Sequence, residues 1–425
     1  MSKTIWILNH YATNMFYDHA GRHYSFAENL LQNGYSVKIF CASTNHFSKK
    51  YIEIKKKEYS IKITDGISFV FIKTNKYDGN GFKRILNIMS FYFGLIKVTK
   101  KLIKQYGKPD IILASSAHLL TLVAGIKISK KYQLPCICEI RDLWPESIIE
   151  YNLLKKEGLI AKILYKIENW VYAKADKLIF TMEGGKNYIC DKKWDNEHGG
   201  SVNINKVYHI NNGVDLHKFE FNKINYILED EDINEEQMFK VIYTGSIRQV
   251  NNLKKIVEVA EYLIKIGETK INILIYGDGI ERKTLEDYCK INNLSNIKFK
   301  GQVDKKFIPY ILTRSNLNII HFQQNEVKKY GQSLNKLFEY LASGKPILSD
   351  CEFGYDLIKK YDCGVVIDNA NAKELAEVII SFSKMPESKL QYYCNNALLA
   401  SKTFDYKKLS IELDRLILNT LGALR

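Results

Sequence analysis

Proline is scarce, 6 residues in 425, which leaves little room for Pro-rich linkers and excludes a collagen-like chain. Long hydrophobic runs are missing as well. The longest apolar stretch, ILNIMSFYFGLI at 85–96, has 12 residues against the roughly 20 that a spanning helix needs, so no membrane crossing is expected. The opening MSKTIWILNHY contains no apolar run of signal-peptide length before polar residues intervene, and export is not expected. The eight cysteines, Cys41, Cys136, Cys138, Cys190, Cys289, Cys351, Cys363 and Cys394, form no CxxC pair and no Cys/His grouping of the kind a zinc site uses. They read as small buried hydrophobes of a protein in the reducing cytoplasm. No RNP, zinc-finger or helix-turn-helix signature is present, which counts against nucleic acid as a partner.

What is present is a globular composition, 46% hydrophobic and 26% charged, with 28 tyrosines; the length suits two or three domains. The charge is uneven. Residues 1–200 hold 31 basic and 18 acidic side chains, a balance of +13, and the rest hold 62 − 31 = 31 basic and 47 − 18 = 29 acidic, a balance of +2. The basicity belongs to one half and suits an anionic surface or substrate there.

Apolar runs alternate with helical patterns along both halves. Thr4 to Leu8, YSVKIFCA, Asp110 to Ala114, Cys136 to Ile140 and Lys177 to Thr181 read as strands, with helices between them. A polar, acidic segment around Asn222 to Gln237 interrupts the pattern, which restarts at Val241. The alternation predicts two doubly wound parallel α/β sheets. Expected boundaries are an N-terminal domain over 1–218, a linker over 219–238, a second domain over 239–402, and a C-terminal helix over 403–425 packing back on the first domain. Ligands of such sheets bind outside the carboxyl ends of the strands.

SLNKLFEYLASGKPI, Ser333 to Ile347, is the most informative stretch. A helix starting near Ser333 would offer free N–H groups to phosphate oxygens, with the Ser333 hydroxyl beside them. Lys336 adds a positive charge in the first turn, and Glu339 lies on the same face, where its carboxylate can accept from a sugar diol. An amphipathic helix with a surface Lys and Glu has the same local pattern, so the surrounding motifs decide. These are HINNGVD (209–215), YTGSIR (243–248), IYGDG (275–279), FKGQV (299–303) and CGVVI (363–367), with glycine closing or flanking the apolar runs.

With that order of motifs the chain resembles the retaining glycosyltransferases of family GT4, built as two Rossmann-like domains in the GT-B arrangement. The resemblance implies a donor site of Gly245, Ser246 and Arg248 in a phosphate loop, Gly277 allowing close backbone approach near the base, Ser333, Leu334, Asn335 and Lys336 at the diphosphate, and Glu339 at the ribose. EIRDLWPES (139–147) resembles a marker of the subset that builds bacterial O-antigen and capsule polysaccharides. Arg141 and Asp142 in it would bind the acceptor or form an ion pair, with Asp142 capping the following helix. Gly21, in the loop after the first strand, and His118, at the carboxyl edge after 110–114, join the acceptor side. His118 would assist proton transfer or bind the sugar.

The sequence departs from the family at Gly331, where the first of two glutamates eight residues apart is expected, and at Ser246 and Asn251, where basic residues are. Arg248 and Lys336 would then share the leaving-group charge; with His118 and Glu339 they are the expected catalytic residues. No metal and no other cofactor is expected. The resemblance implies transfer of a hexose or N-acetylhexosamine from a UDP-sugar to a polyprenyl-diphosphate-linked saccharide at the inner face of the plasma membrane. A nucleotide-sugar-binding partner subunit and a nucleotide-sugar epimerase stay open as alternatives. Phe82 to Lys108 predicts a long helix. Its apolar residues are expected to pack in the domain and Lys97, Lys100, Lys101, Lys104 and Lys108 to meet an anionic bilayer.

Overall fold

The computed structural model describes residues 2–422 apart from 47, 49, 78, 80, 117, 151–153 and 324; residues 423–425 of the expected C-terminal helix lie outside the described residues. Two compact units divide the chain. The first comprises Met1–Asn211 with Tyr406–Arg425, the second Asn212–Asp405.

The sheet of the first unit is formed by β1 (Thr4–Leu8), β2 (Ser36–Ala42), β3 (Tyr59–Thr64), β4 (Ile67–Ile72), β5 (Ile111–Ser115), β6 (Cys136–Ile140), β7 (Lys177–Phe180) and β8 (Val207–His209). Their order is β3-β4-β2-β1-β5-β6-β7-β8. Every pair is parallel except β3 with β4. Strands β5 and β6 are buried along their whole length, as expected of parallel strands covered on both faces. The β3–β4 hairpin departs from the expected strand list. It turns through Asp65 (φ 47°) and Gly66 (φ 78°), the two left-handed residues of a tight hairpin turn. The helix Tyr406–Gly422 packs on the helix Arg22–Gln32, with Leu409, Leu413 and Leu416 joining Phe26 and Leu30 in one core.

The second unit is a wholly parallel sheet of β9 (Phe239–Thr244), β10 (Ile271–Tyr276), β11 (Ile297–Gly301), β12 (Leu317–Ile320), β13 (Ile347–Ser349) and β14 (Gly364–Val366), in the order β11-β10-β9-β12-β13-β14. The expected linker is corrected here. Within 219–238, Phe219 and Ile233 are buried with Ile242, Leu274 and Leu337 in the core of the second unit. The acidic residues that hide an apolar face are partners of this unit: Asp230 and Asp232 each lie 2.6 Å from Lys300 Nζ. HINNGVD is divided as well, because Asn212 onward belongs to the second unit.

Both sheets reverse their winding beside a central pair, β1 with β5 and β9 with β12. Such switch points are where the carboxyl edge of a doubly wound sheet opens to ligands.

Candidate functional site

In the second unit the chain leaving β9 and the helix Asn335–Ser343 meet beside this switch point. Gly245 has φ 147°, and a Cβ there would lie 2.7 Å from Lys336 Nζ, so glycine leaves room for the lysine. The Lys336 ammonium sits 3.9 Å from the centre of the Tyr243 ring. Burial pulls its pKa from 10.5 down to about 7, against the opposing pull of Glu339. Among the described residues no carboxylate is within ion-pair distance of it. Glu339 is paired at 3.4 Å with Lys305. Tyr340, fully buried, accepts from the Thr244 N–H at 2.8 Å and holds the end of β9 against this helix.

One expectation for this region is corrected. The helix begins at Asn335, with Leu334 in an extended conformation before it, so Ser333 precedes the first turn. Ser333 instead ties the start of the unit: the Asn212 N–H donates to its hydroxyl at 3.1 Å and the Asn212 amide to its carbonyl at 2.8 Å. Gly277 (φ 155°) allows a close approach within the unit, since a Cβ there would lie 1.8 Å from the Gly245 carbonyl oxygen. Asn251, which stands where the family has a basic residue, has a structural task. Its amide donates to the Ser246 carbonyl at 2.7 Å and hydroxyl at 2.9 Å, which shapes the loop that presents the exposed Arg248.

Gln332 is a residue that sequence reasoning missed. It is buried between Gly331 and Ser333, and neither its amide oxygen nor its nitrogen has a partner among the described residues. A buried amide without partners is costly, and beside the missing glutamate position it is suited to a ligand's hydroxyls. The only signal was its position.

In the first unit, the helix after β1 and the turn after β5 flank the other switch point. Gly21 (φ 109°) opens the helix Arg22–Gln32. The next two side chains converge on Glu139 at the end of β6, fully buried: Arg22 Nε at 2.7 Å, His23 Nε2 at 2.9 Å and the Ser115 hydroxyl at 2.8 Å. Burial pushes this carboxyl up, but Arg22 and His23 outweigh it and hold it well below the usual range. Arg22 also donates to the carbonyls of Ile210 and Asn211. Sequence reasoning missed this network; an arginine and histidine opening a helix and a glutamate inside an apolar strand were its only traces.

Arg141 donates its backbone N–H to the Ser116 hydroxyl at 2.8 Å, and its buried Nε has no hydrogen-bond partner among the described residues. Asp142 is exposed and forms no ion pair with Arg141 among the described residues, and the helix Glu146–Glu150 starts beyond its capping reach. The capping part of that alternative is thereby corrected, while the Arg141 charge still acts on the Asp142 carboxyl. His118 is 2% exposed, and burial lowers its pKa to about 3. Such burial disfavours the charged imidazole and favours hydrogen bonding by the neutral ring.

The helix Phe82–Tyr106 divides its apolar residues between two faces. Phe82 is 70% and Phe93 60% exposed, with Ile85, Leu86 and Met89 also exposed between them, one stripe at helical spacing. The opposite face, Phe91, Tyr92 and Leu95, is buried. Lys97 and Lys101 are paired with Glu58 at 2.5 and 2.6 Å. Among the described residues no helix is long and apolar enough to cross a membrane, and no group of three or more His, Cys, Asp or Glu is placed to hold a metal ion.

Two family profiles match the chain: Glycosyltransferase Family 4 over residues 22–218 and Glycosyl transferases group 1 over 226–398. No curated protein matches in sequence. Among solved structures the chain is similar to sucrose-phosphate synthase from Thermosynechococcus elongatus, at 15% identity and a TM-score of 0.72 over 99% of this chain and 100% of that one. It is also similar to α,α-trehalose 6-phosphate synthase from Burkholderia multivorans, at 14% and 0.74 over 100% of both chains. HepE from Anabaena, in complex with UDP and glucose, aligns at 13% and 0.66 over 98% of this chain and 100% of that one. At these identities the likeness is one of fold.

Proposed function

We propose that this chain, a glycosyltransferase with the GT-B fold, moves a hexose or N-acetylhexosamine from a UDP-sugar to a polyprenyl-diphosphate-linked saccharide in O-antigen or capsule synthesis, with retention and without a metal. The observation that carries the donor half is Lys336. A lysine whose pKa burial over Tyr243 lowers to about 7, with glycine facing it and no carboxylate paired to it among the described residues, is a cation awaiting an anion at the carboxyl edge of a nucleotide-binding type of sheet. UDP is the nucleotide because the HepE structure holds it on the same fold.

The diphosphate lies between Lys336 and the exposed Arg248, which neutralise charge as the sugar leaves. Glu339 accepts the ribose hydroxyls once Lys305 yields its ion pair, and Gln332 hydrogen-bonds the donor sugar. Leu334 and Asn335 bring their backbone to the phosphates. On the acceptor side the Glu139 network holds the Gly21 loop, with His118, Arg141 and Asp142 beside it. The leaving phosphate takes the proton of the attacking hydroxyl.

The acceptor's lipid and the exposed stripe Phe82 to Phe93 support a peripheral position on the cytoplasmic face of the membrane. Lys83, Lys100 and Lys104 supply attraction to anionic headgroups. The test is thermal unfolding with UDP in EDTA. At 100 times its Kd a ligand stabilises the native state by about 2.7 kcal/mol. No shift with UDP, GDP or ADP, with or without Mg, refutes the donor site.

A further inference from the structure

A chain of four polar side chains runs through the first unit to His118. The Asn87 amide nitrogen donates to the Asn75 carbonyl at 2.5 Å and to the Thr44 hydroxyl at 3.0 Å. A carbonyl only accepts, so the amide is oriented with Oδ1 towards His10. His10 Nε2 lies 2.9 Å from that oxygen and must carry hydrogen to bond it. His10 is fully buried, stacked at 4.3 Å on Phe91, and burial next to His118 keeps it neutral at physiological pH. Its Nδ1 is therefore a bare lone pair.

That lone pair is 2.6 Å from His118 Nε2, so His118 Nε2 carries the hydrogen and donates. His118 is itself neutral, which leaves its Nδ1 without hydrogen. This atom is buried and has no partner among the described residues. It stands in the residue that opens the helix Leu119–Tyr132, directly after β5 at the switch point, and Tyr11 and Arg84 are its neighbours. A buried acceptor with an assigned lone pair requires a donor to complete it.

We infer that Asn87 and His10 are positioning residues that hold His118 as a hydrogen-bond acceptor, and that its Nδ1 takes the hydroxyl of a bound saccharide. The inference rests on the glycosyltransfer reading for the identity of the ligand, and on geometry for the direction of the relay. An ammonium, amide N–H or hydroxyl is accepted at Nδ1; a carboxylate or phosphate oxygen is refused. The relay thus selects a sugar hydroxyl over the anionic groups of the same substrates.

The full chain with 15N-labelled histidine tests this. Without ligand, long-range 1H–15N spectra should show His118 as the Nε2–H tautomer; an Nδ1–H tautomer overturns the relay. Saturating UDP-glucose in one arm, and octyl N-acetylglucosaminide in another, should move the bare Nδ1 resonance in the arm whose sugar donates to it. An unmoved resonance in both arms means that only water completes the atom, and overturns the ligand assignment. UDP alone is the control. Failure to bind UDP refutes the donor reading, whereas the tautomer is read without any ligand.

His10→Phe keeps a ring on Phe91 and removes Nδ1. It should leave both His118 tautomers populated and weaken the sugar that moved the resonance about tenfold, the loss of one hydrogen bond, with UDP affinity unchanged. A merely structural His10 would change Tm and leave tautomer and affinity ratio as they were. Asn87→Leu is the second variant if His10→Phe does not fold, with the same expected and overturning results.

Discussion

Lys336→Met removes a charge that the fold holds unfavourably. Its pKa falls from 10.5 to about 7 because burial over Tyr243 outweighs the attraction of Glu339. The native state carries this charge fully only below pH 7, whereas the unfolded chain carries it up to about 10.5. The destabilisation is therefore complete below pH 7 and declines as pH rises towards 10.5. At about 1.4 kcal/mol per pH unit the limit is about 5 kcal/mol. Lys336 is partly exposed, and solvent screening halves this to about 2 kcal/mol. Urea unfolding should find Lys336→Met more stable by about 2 kcal/mol at pH 6 and by about 1 kcal/mol at pH 9. The same lysine should lose its depression when a diphosphate arrives. At pH 8, calorimetry of UDP binding in two buffers of different ionisation enthalpy should register more proton taken up by the wild type than by the variant. Equal stabilities at pH 6, or identical proton uptake, would refute the placement of this ammonium and with it the donor site.

Gln332→Ala should stabilise the free protein or leave it unchanged, since it removes a buried amide without partners, yet weaken UDP-glucose about tenfold relative to UDP; unfolding and titration calorimetry measure the two opposite effects. Glu139→Gln leaves the Arg22 guanidinium buried without its carboxylate and should cost about 3 to 5 kcal/mol in urea. A carboxyl held below its ordinary pKa stabilises above the unfolded value near 4.3 and loses that contribution as pH falls through the folded value. The acid limb of the wild-type stability profile should therefore be steeper than the variant's. Replacing Phe82, Ile85 and Phe93 with serine should reduce sedimentation with anionic vesicles at least tenfold, whereas Lys97→Gln with Lys101→Gln, whose lysines face Glu58, should change it less than twofold.

The two sheets were legible because strands such as β5 and β6 are covered on both faces, so burial writes itself into consecutive residues. Asp65-Gly66 carried the hairpin signal in two residues, but the flanking YSIKIT has exposed positions and reads weakly as a strand. The acidic run 229–236 reads as a linker because Lys298 and Lys300, the partners of Asp232, are 66 and 68 positions away. The same distance rule sorts the site. Lys336 and Glu339 stand three residues apart in one helix turn that a local window contains, whereas the room that Gly245 leaves for Lys336 shows only in the fold. Glu139 depends on Arg22 at a separation of 117, and His118 on His10 at 108. A buried polar residue has to find its partner before it has a role, and in a doubly wound sheet the partners on neighbouring strands at the switch point are the ones that chain order separates most. The residues around β1 and β5 are therefore where sequence reasoning has least purchase and where a hydrogen-bond direction, once traced, adds most.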